Sequence, residues 1–238
     1  YDLFRAIIFS IMLAFISILF KMGKISLNKM MFLITIILLM DLIGISNRYI
    51  DRNQFVSKKN HETPFKITTA DLLIKKDTTK YRVFEPRYGL TGSRTSFFHN
   101  SIGGYHAAKP RRFEELYKFF EERGVEPFLN MMNVKYIINS DEEGLKPYKN
   151  PSTFGNAWFV SELKKVSSPD SIFNFFDSND LKKSAVIIKN SYKEELPEKY
   201  NKDSLAYIKL VKSKPNYLEY SFNSKEDQLI VFSENFYP

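Results

Sequence analysis

Residues 96–112 read Ser-Phe-Phe-His-Asn-Ser-Ile-Gly-Gly-Tyr-His-Ala-Ala-Lys-Pro-Arg-Arg and gather two of the three histidines and three cations around a glycine pair. Gly103 and Gly104 let the backbone take a positive φ or come close to a ligand. His99, Tyr105, His106, Lys109, Arg111 and Arg112 place hydrogen-bond donors and positive charge beside them. Donors and cations on a permissive backbone form a cradle for an anionic group such as phosphate. The plainer alternative is a tight turn running into an ordinary helix, because Gly-Gly alone is a turn signal.

Other chemistry has less material. A metal-dependent hydrolase built on His99 and His106 has only His61 as a further histidine and no cysteine, so it would depend on carboxylates that no spacing identifies. No metal and no cofactor is therefore expected. The formal charge of +8 favours anionic partners such as lipid head groups or phosphorylated substrates. Nucleic acid is disfavoured because the cations are dispersed along the chain. Asp41 is the one ionisable group well inside an apolar run, where such groups face a bundle interior or mark a functional path. Arg48, two turns along the same helix face, offers an ion-pair network as the competing explanation.

The elements that must hold these residues fall into two regimes. Residues 6–20 and 30–45 are almost wholly apolar and read as membrane helices, extended into the interfaces by residues 1–5 and 46–49 toward the roughly 20 residues a bilayer requires. A signal peptide and the buried helices of a soluble domain are the alternatives. Between the runs stand Lys21, Lys24 and Lys29 with no acid, and short cationic loops stay in the cytoplasm. The mixed charges Arg48, Asp51, Arg52, Lys58 and Lys59 weaken that rule without reversing it. The reading is thus a membrane-anchored α+β protein. Residues 1–50 carry two transmembrane helices and a short cytoplasmic loop, 51–80 a linker and short helix, and 81–238 an extracytoplasmic mixed α/β domain ending in antiparallel strands.

Within that domain, Thr68 or Thr69 caps a short helix and residues 81–85 form a strand that leads to the central loop. Pro110 opens a helix over residues 111–123, with Phe113, Leu116, Tyr117 and Phe120 at helical spacing and Gly124 at its end. That face is expected to pack on a sheet carrying Tyr136, Ile138 and Trp158. Pro127 starts a further helix, and residues 134–138 form a strand. Residues 141–152 read as a loop, 157–160 as strand, 169–176 as helix and 185–188 as strand. Three closing strands, at 207–211, 217–222 and 228–232, suggest an antiparallel meander. The chain starts at Tyr1 rather than Met and ends on an apolar stretch at Pro238, which reads as an internal piece of a longer protein.

Several landmarks occur in order. Asp41 in a span is followed by Asn47-Arg48-Tyr49, the central loop, Leu129-Asn130-Met131-Met132-Asn133-Val134-Lys135-Tyr136, Gly155-Asn156-Ala157-Trp158-Phe159-Val160, and Val231-Phe232-Ser233-Glu234-Asn235-Phe236-Tyr237-Pro238. In this order they resemble the YfhO-like bacterial membrane proteins of the Bacteroidetes type, over essentially the whole chain. The resemblance implies a polytopic protein of the GT-C glycosyltransferase kind in the bacterial plasma membrane. Such a protein uses polyprenyl-phosphate sugars on the outer face to modify cell-envelope polymers. In that pattern the catalytic carboxylate lies in the first outer loop, so no catalytic residue carries over to this chain, and Glu234 matches a motif without an assigned role. The family's Gly-Trp continuation is missing after Pro238. The central loop would then neutralise lipid phosphate or contact the acceptor, with Tyr105 or Trp158 offering a ring to stack on sugar. The rival reading is a non-catalytic membrane-anchored envelope module that binds polymer or scaffolds a partner.

Overall fold

The computed structural model describes residues 2–50, 52–141, 144–189 and 195–235, and divides the chain into two compact units, Tyr1–Pro64 and Phe65–Pro238. The interfacial placement of Tyr1, the charge of Asp51 and the closing Phe236, Tyr237 and Pro238 lie outside the described residues.

The first unit is built on two helices, α1 (Asp2–Lys21) and α2 (Leu27–Tyr49). Each is long and apolar enough to cross a bilayer, and both leave most of their apolar side chains exposed. Gly23 ends α1 at φ 70°: its N–H donates to Phe20 O and that of Lys24 to Leu19 O, the paired bonds of a glycine-terminated helix. Ser17 and Thr35 donate their hydroxyls to the carbonyls of Leu13 and Met31, so neither presents an unsatisfied polar group to its surroundings. Arg5 Nε lies 3.1 Å from Asp41 Oδ1, and Arg48 Nη1 lies 2.5 Å from Asp2 Oδ1. Asp41 is therefore paired across the hairpin with Arg5, while Arg48, the partner its spacing suggested, goes to Asp2. The short helix α3 (Lys58–Glu62) follows.

The second unit centres on a three-stranded sheet of β1 (Arg82–Phe84), β2 (Val134–Asp141) and β3 (Gly144–Lys149). β1 runs parallel to β2, and β3 returns antiparallel with Ile138 opposite Pro147. The region expected to be loop is thus an edge strand, where proline is tolerated because one side of the strand needs no donor. Helix α4 (Thr69–Ile74) covers one face, burying Ala70 and Ile74 with Tyr81, Val83 and Ile138. On the other face, α6 (Arg111–Arg123) and α7 (Glu126–Met131) pack Tyr117, Phe120, Phe128 and Leu129 onto Phe84 and Val134. From Tyr136 on, successive residues of β2 point to opposite faces, so Ile137 joins the α6 cluster while Tyr136 and Ile138 join that of α4; Val134 falls on the α6 side because the register shifts by one residue between it and Tyr136. This corrects the expected partners of α6. Trp158 belongs to neither cluster and sits edge-on to Phe154 at 5.0 Å.

Between β1 and α6 the chain forms α5 (Ser93–Phe98), a helix the sequence pattern did not reveal, and then the irregular residues 99–110. Beyond the sheet, β5 (Glu162–Val166) and β6 (Ser184–Ile188) are parallel and joined through α8 (Asp170–Ser178). β7 (Tyr207–Lys214) and β8 (Tyr217–Asn223) make a hairpin. The last described strand, β9 (Leu229–Phe232), pairs antiparallel with β4 (Ala157–Val160) instead of extending that hairpin. The meander stops at two strands because Val231 and its neighbours find a partner some seventy positions earlier.

Candidate functional site

Beneath the central loop lies a group of buried charges. Asp71 occupies the third position of α4, where its carboxylate accepts from the Thr68 N–H at 2.8 Å and the Thr68 hydroxyl caps the Asp71 N–H in return. The side chain is fully buried, so it also requires a counter-charge, supplied by Arg94 of α5. Arg94 Nη1 in turn donates to Glu85 Oε2 at 3.2 Å, and the Thr95 hydroxyl donates to the same oxygen at 2.9 Å. His99 Nε2 lies 3.0 Å from the second Asp71 oxygen.

The titration behaviour follows from these contacts. Burial alone would raise the Asp71 carboxyl, but the Thr68 hydroxyl and N–H, His99 and Arg94 together hold it below the usual carboxylate range. Burial pushes the His99 imidazole below its ordinary value, against the pull of Asp71. A neutral His99 donates Nε2–H to Asp71 and leaves Nδ1 with its lone pair. Asp71 therefore fixes both the ring's orientation and its tautomer.

His99 borders a polar cleft of about 340 Å³. Asn100, Ser101 and Ser96 line one side of it, and the backbone carbonyl of Asn100 accepts from Val83 N–H at 2.8 Å, which lays the loop against β1. Asn133 and Asn156 line the other. Asn133 takes a left-handed φ of 52°, a conformation asparagine tolerates better than most residues, and its amide donates to Lys80 O at 3.1 Å and Asn156 Oδ1 at 3.0 Å. Lys80 and Arg82 complete the wall, and both pair with Glu234, at 3.0 and 2.6 Å, whose single charge leaves the trio one positive charge in excess. Arg82 also donates to Met132 O and Ser233 O. Stretches far apart in sequence, 80–82, 96–101, 133, 156 and 233–234, thus meet at one place.

The residues singled out from sequence are distributed unevenly about it. His99 is at the cleft wall but turned into the buried cluster, with 3% of its side chain exposed. His106 and Lys109 line a smaller neighbouring hollow of about 120 Å³, which shares Arg82 and Ser101 with the cleft. Lys109 Nζ donates to Leu90 O at 2.6 Å, and Gly104 N–H donates to the same carbonyl at 3.1 Å, so this stretch clasps the turn before α5. Neither Gly103 nor Gly104 has a positive φ. Gly103 is required for another reason, since a Cβ there would stand 2.9 Å from Leu90 Cα, whereas at Gly104 it would meet only ordinary contacts. Tyr105 and Arg112 are exposed on the surface, and Arg111 is bound to Glu115 at 2.6 Å. The expected anion cradle is therefore not assembled from all these residues. Trp158 is 9% exposed, too buried to stack on a sugar, while Tyr105 remains 87% exposed. His61 belongs to the first unit, and no group of three metal-binding side chains occurs among the described residues.

Sequence reasoning passed over Asp71, Glu85 and Arg94, although Thr68 with Asp71 three positions later is a legible capping pattern. The ion pairs joining those residues have no local signature. Compared with known proteins, the chain matches no family model, no curated protein and no solved structure.

Proposed function

We propose that this chain is the membrane-anchored, saccharide-binding part of a YfhO-like bacterial envelope protein of the GT-C glycosyltransferase kind. In this reading α1 and α2 span the plasma membrane with the lysine loop in the cytoplasm. The second unit lies outside, and the cleft beside His99 holds the sugar of a polyprenyl-phosphate donor or of the polymer acceptor. The apolarity of the two helices and the Lys21, Lys24 and Lys29 loop support the anchoring.

The observation that carries the saccharide reading is the chemistry of the cleft lining. Asn100 offers a whole amide, Asn156 its N–H donors, Asn133 its side-chain carbonyl, Ser101 its O–H and Ser96 its hydroxyl lone pair, donors and acceptors together, as a ring of sugar hydroxyls demands. A bare anion would call for cations free of partners, whereas Lys80 and Arg82 each hold an oxygen of Glu234 and keep between them a single excess positive charge. The carboxylates bound to the cleft's own side chains, Asp71 on His99 and Glu234 on Lys80 and Arg82, are likewise committed to ion pairs. The chain accordingly contributes recognition, and transfer chemistry falls to a carboxylate outside it.

The test uses the full chain in detergent, titrated with soluble glycosides and with a polyprenyl-phosphate sugar. Asn100→Ala removes an exposed amide while keeping the backbone bond to Val83, and is expected to weaken binding about tenfold, the loss of one good hydrogen bond. Arg112→Ala is expected to bind as the unaltered chain does. Binding that is indifferent to Asn100, or no binding to any glycoside, would overturn the assignment.

A further inference from the structure

The second unit begins with a surface that its own fold leaves uncovered. α4 turns Ala70, Asp71 and Ile74 inward and presents Leu72 and Leu73, which are 53% and 52% exposed. Ile67, just before the cap, is 45% exposed, and Phe97 of α5 is 47% exposed. Phe97 stands edge-on to Phe65 at 5.7 Å and to Phe98 at 5.0 Å. The side chain of Lys75 lies over the Phe98 ring, 5.3 Å from its centre, which ties α4 to this aromatic group.

Cations flank these apolar side chains along the chain, Lys66 before Ile67 and Lys75 and Lys76 after Leu73. Lys66, Lys75 and Lys76 are exposed and none has an ion pair among the described residues. The neighbouring acids do not offset them. Asp71 is buried against Arg94, and Asp77 is bound to Lys135 at 2.5 Å and to the Tyr136 hydroxyl at 2.9 Å. Lys75 and Phe97 also rim an open hollow of about 420 Å³ whose inner wall includes His99 and Asn100. Along the chain, only residues 50–64 separate α2 from Phe65.

Exposed leucines and a phenylalanine accompanied by lysines without ion pairs match the interface of a bilayer containing anionic lipid: the apolar groups enter the acyl boundary while the lysines remain among the phosphates. We propose that Ile67, Leu72, Leu73 and Phe97, with Lys66, Lys75 and Lys76, form a lipid-docking surface that seats on an anionic membrane. A protein partner would leave the lysines without a stated complement, whereas anionic head groups provide one for all three. The surface is independent of the saccharide reading, and its test does not use a sugar.

The chain has no cysteine, so Leu73→Cys in the full chain takes a single environment-sensitive fluorophore. The protein is placed in nanodiscs of phosphatidylcholine alone or mixed with phosphatidylglycerol, with a spin-labelled lipid as quencher. Emission at position 73 is expected to shift to the blue and to be quenched in the anionic discs, while a probe at the 68% exposed Leu205 stays water-like. Neutralising one lysine is expected to lower the docked-to-undocked ratio about fivefold. Lys66→Glu with Lys75→Glu and Lys76→Glu should return position 73 to the Leu205 level, with circular dichroism unchanged. A water-like probe at 73 in both discs, quenching equal to that at 205, or quenching indifferent to lipid charge and to the lysines would each overturn the proposal.

Discussion

At the scale of single residues, His99 and Asp71 control how the second unit responds to acid. The folded state holds His99 below its ordinary value, near 6.5, so the unfolded chain takes up that proton first as pH falls. Stability is therefore full above that value and declines below it. Asp71, also lowered, adds its own decline only under about pH 4, where the unfolded carboxylate becomes protonated. Denaturant unfolding of the full chain between about pH 7.5 and 5 should show stability falling toward the acid end, and His99→Gln should flatten that slope. A flat profile in the unaltered chain would mean that His99 is not held neutral by burial. His99 and His106 stand seven positions apart, and their types alone place them in one cradle. The structure separates them because a carboxylate 28 positions earlier captures the His99 ring, and no local spacing encodes that contact.

At the scale of elements, legibility tracked amphipathic period and length. α6 was plain because Phe113, Tyr117 and Phe120 recur on one face between a proline and a glycine, and its bounds agree with the expected ones. β5 escaped because four of its five residues are Glu, Lys, Lys and Val with limited burial, and only Leu163 is fully inside. α5 escaped because its six residues carry less than two turns of pattern and it opens on Gly92, without the capping threonine of α4 or the proline of α7 that marked those equally short helices. The pairing of β9 with β4 is a tertiary choice, open to either neighbour as far as alternation goes. The aromatic centre has a measurable consequence. Phe128 is fully buried, with the rings of Phe113 and Tyr117 at 5.4 and 5.5 Å, so Phe128→Ala should cost about 3 to 5 kcal/mol of unfolding free energy. Phe97→Ala, on an exposed ring, should change it by less than about 1 kcal/mol. Equal effects in denaturant titration would show that the core is not organised around α7.

At the scale of the whole molecule, the two helices and the α+β composition were readable from hydropathy and order, while the cleft was not, because it is assembled from five separated stretches. The proposed topology is tested on cells with a membrane-impermeant thiol reagent. Ser26→Cys, at the lysine loop, should be protected, and Ser178→Cys, at the exposed end of α8, should react. The reverse pattern would invert the topology. The central claim, that the polar cleft beside His99 receives a saccharide, is met most directly by photo-crosslinking the full chain to a polyprenyl-phosphate sugar bearing a diazirine on its ring and mapping the adduct by mass spectrometry. The account predicts labelling within residues 80–82 and 96–101 that Asn100→Ala reduces and excess unmodified glycoside competes away. Adducts confined to residues 105–112, or spread over the surface without competition, would contradict it.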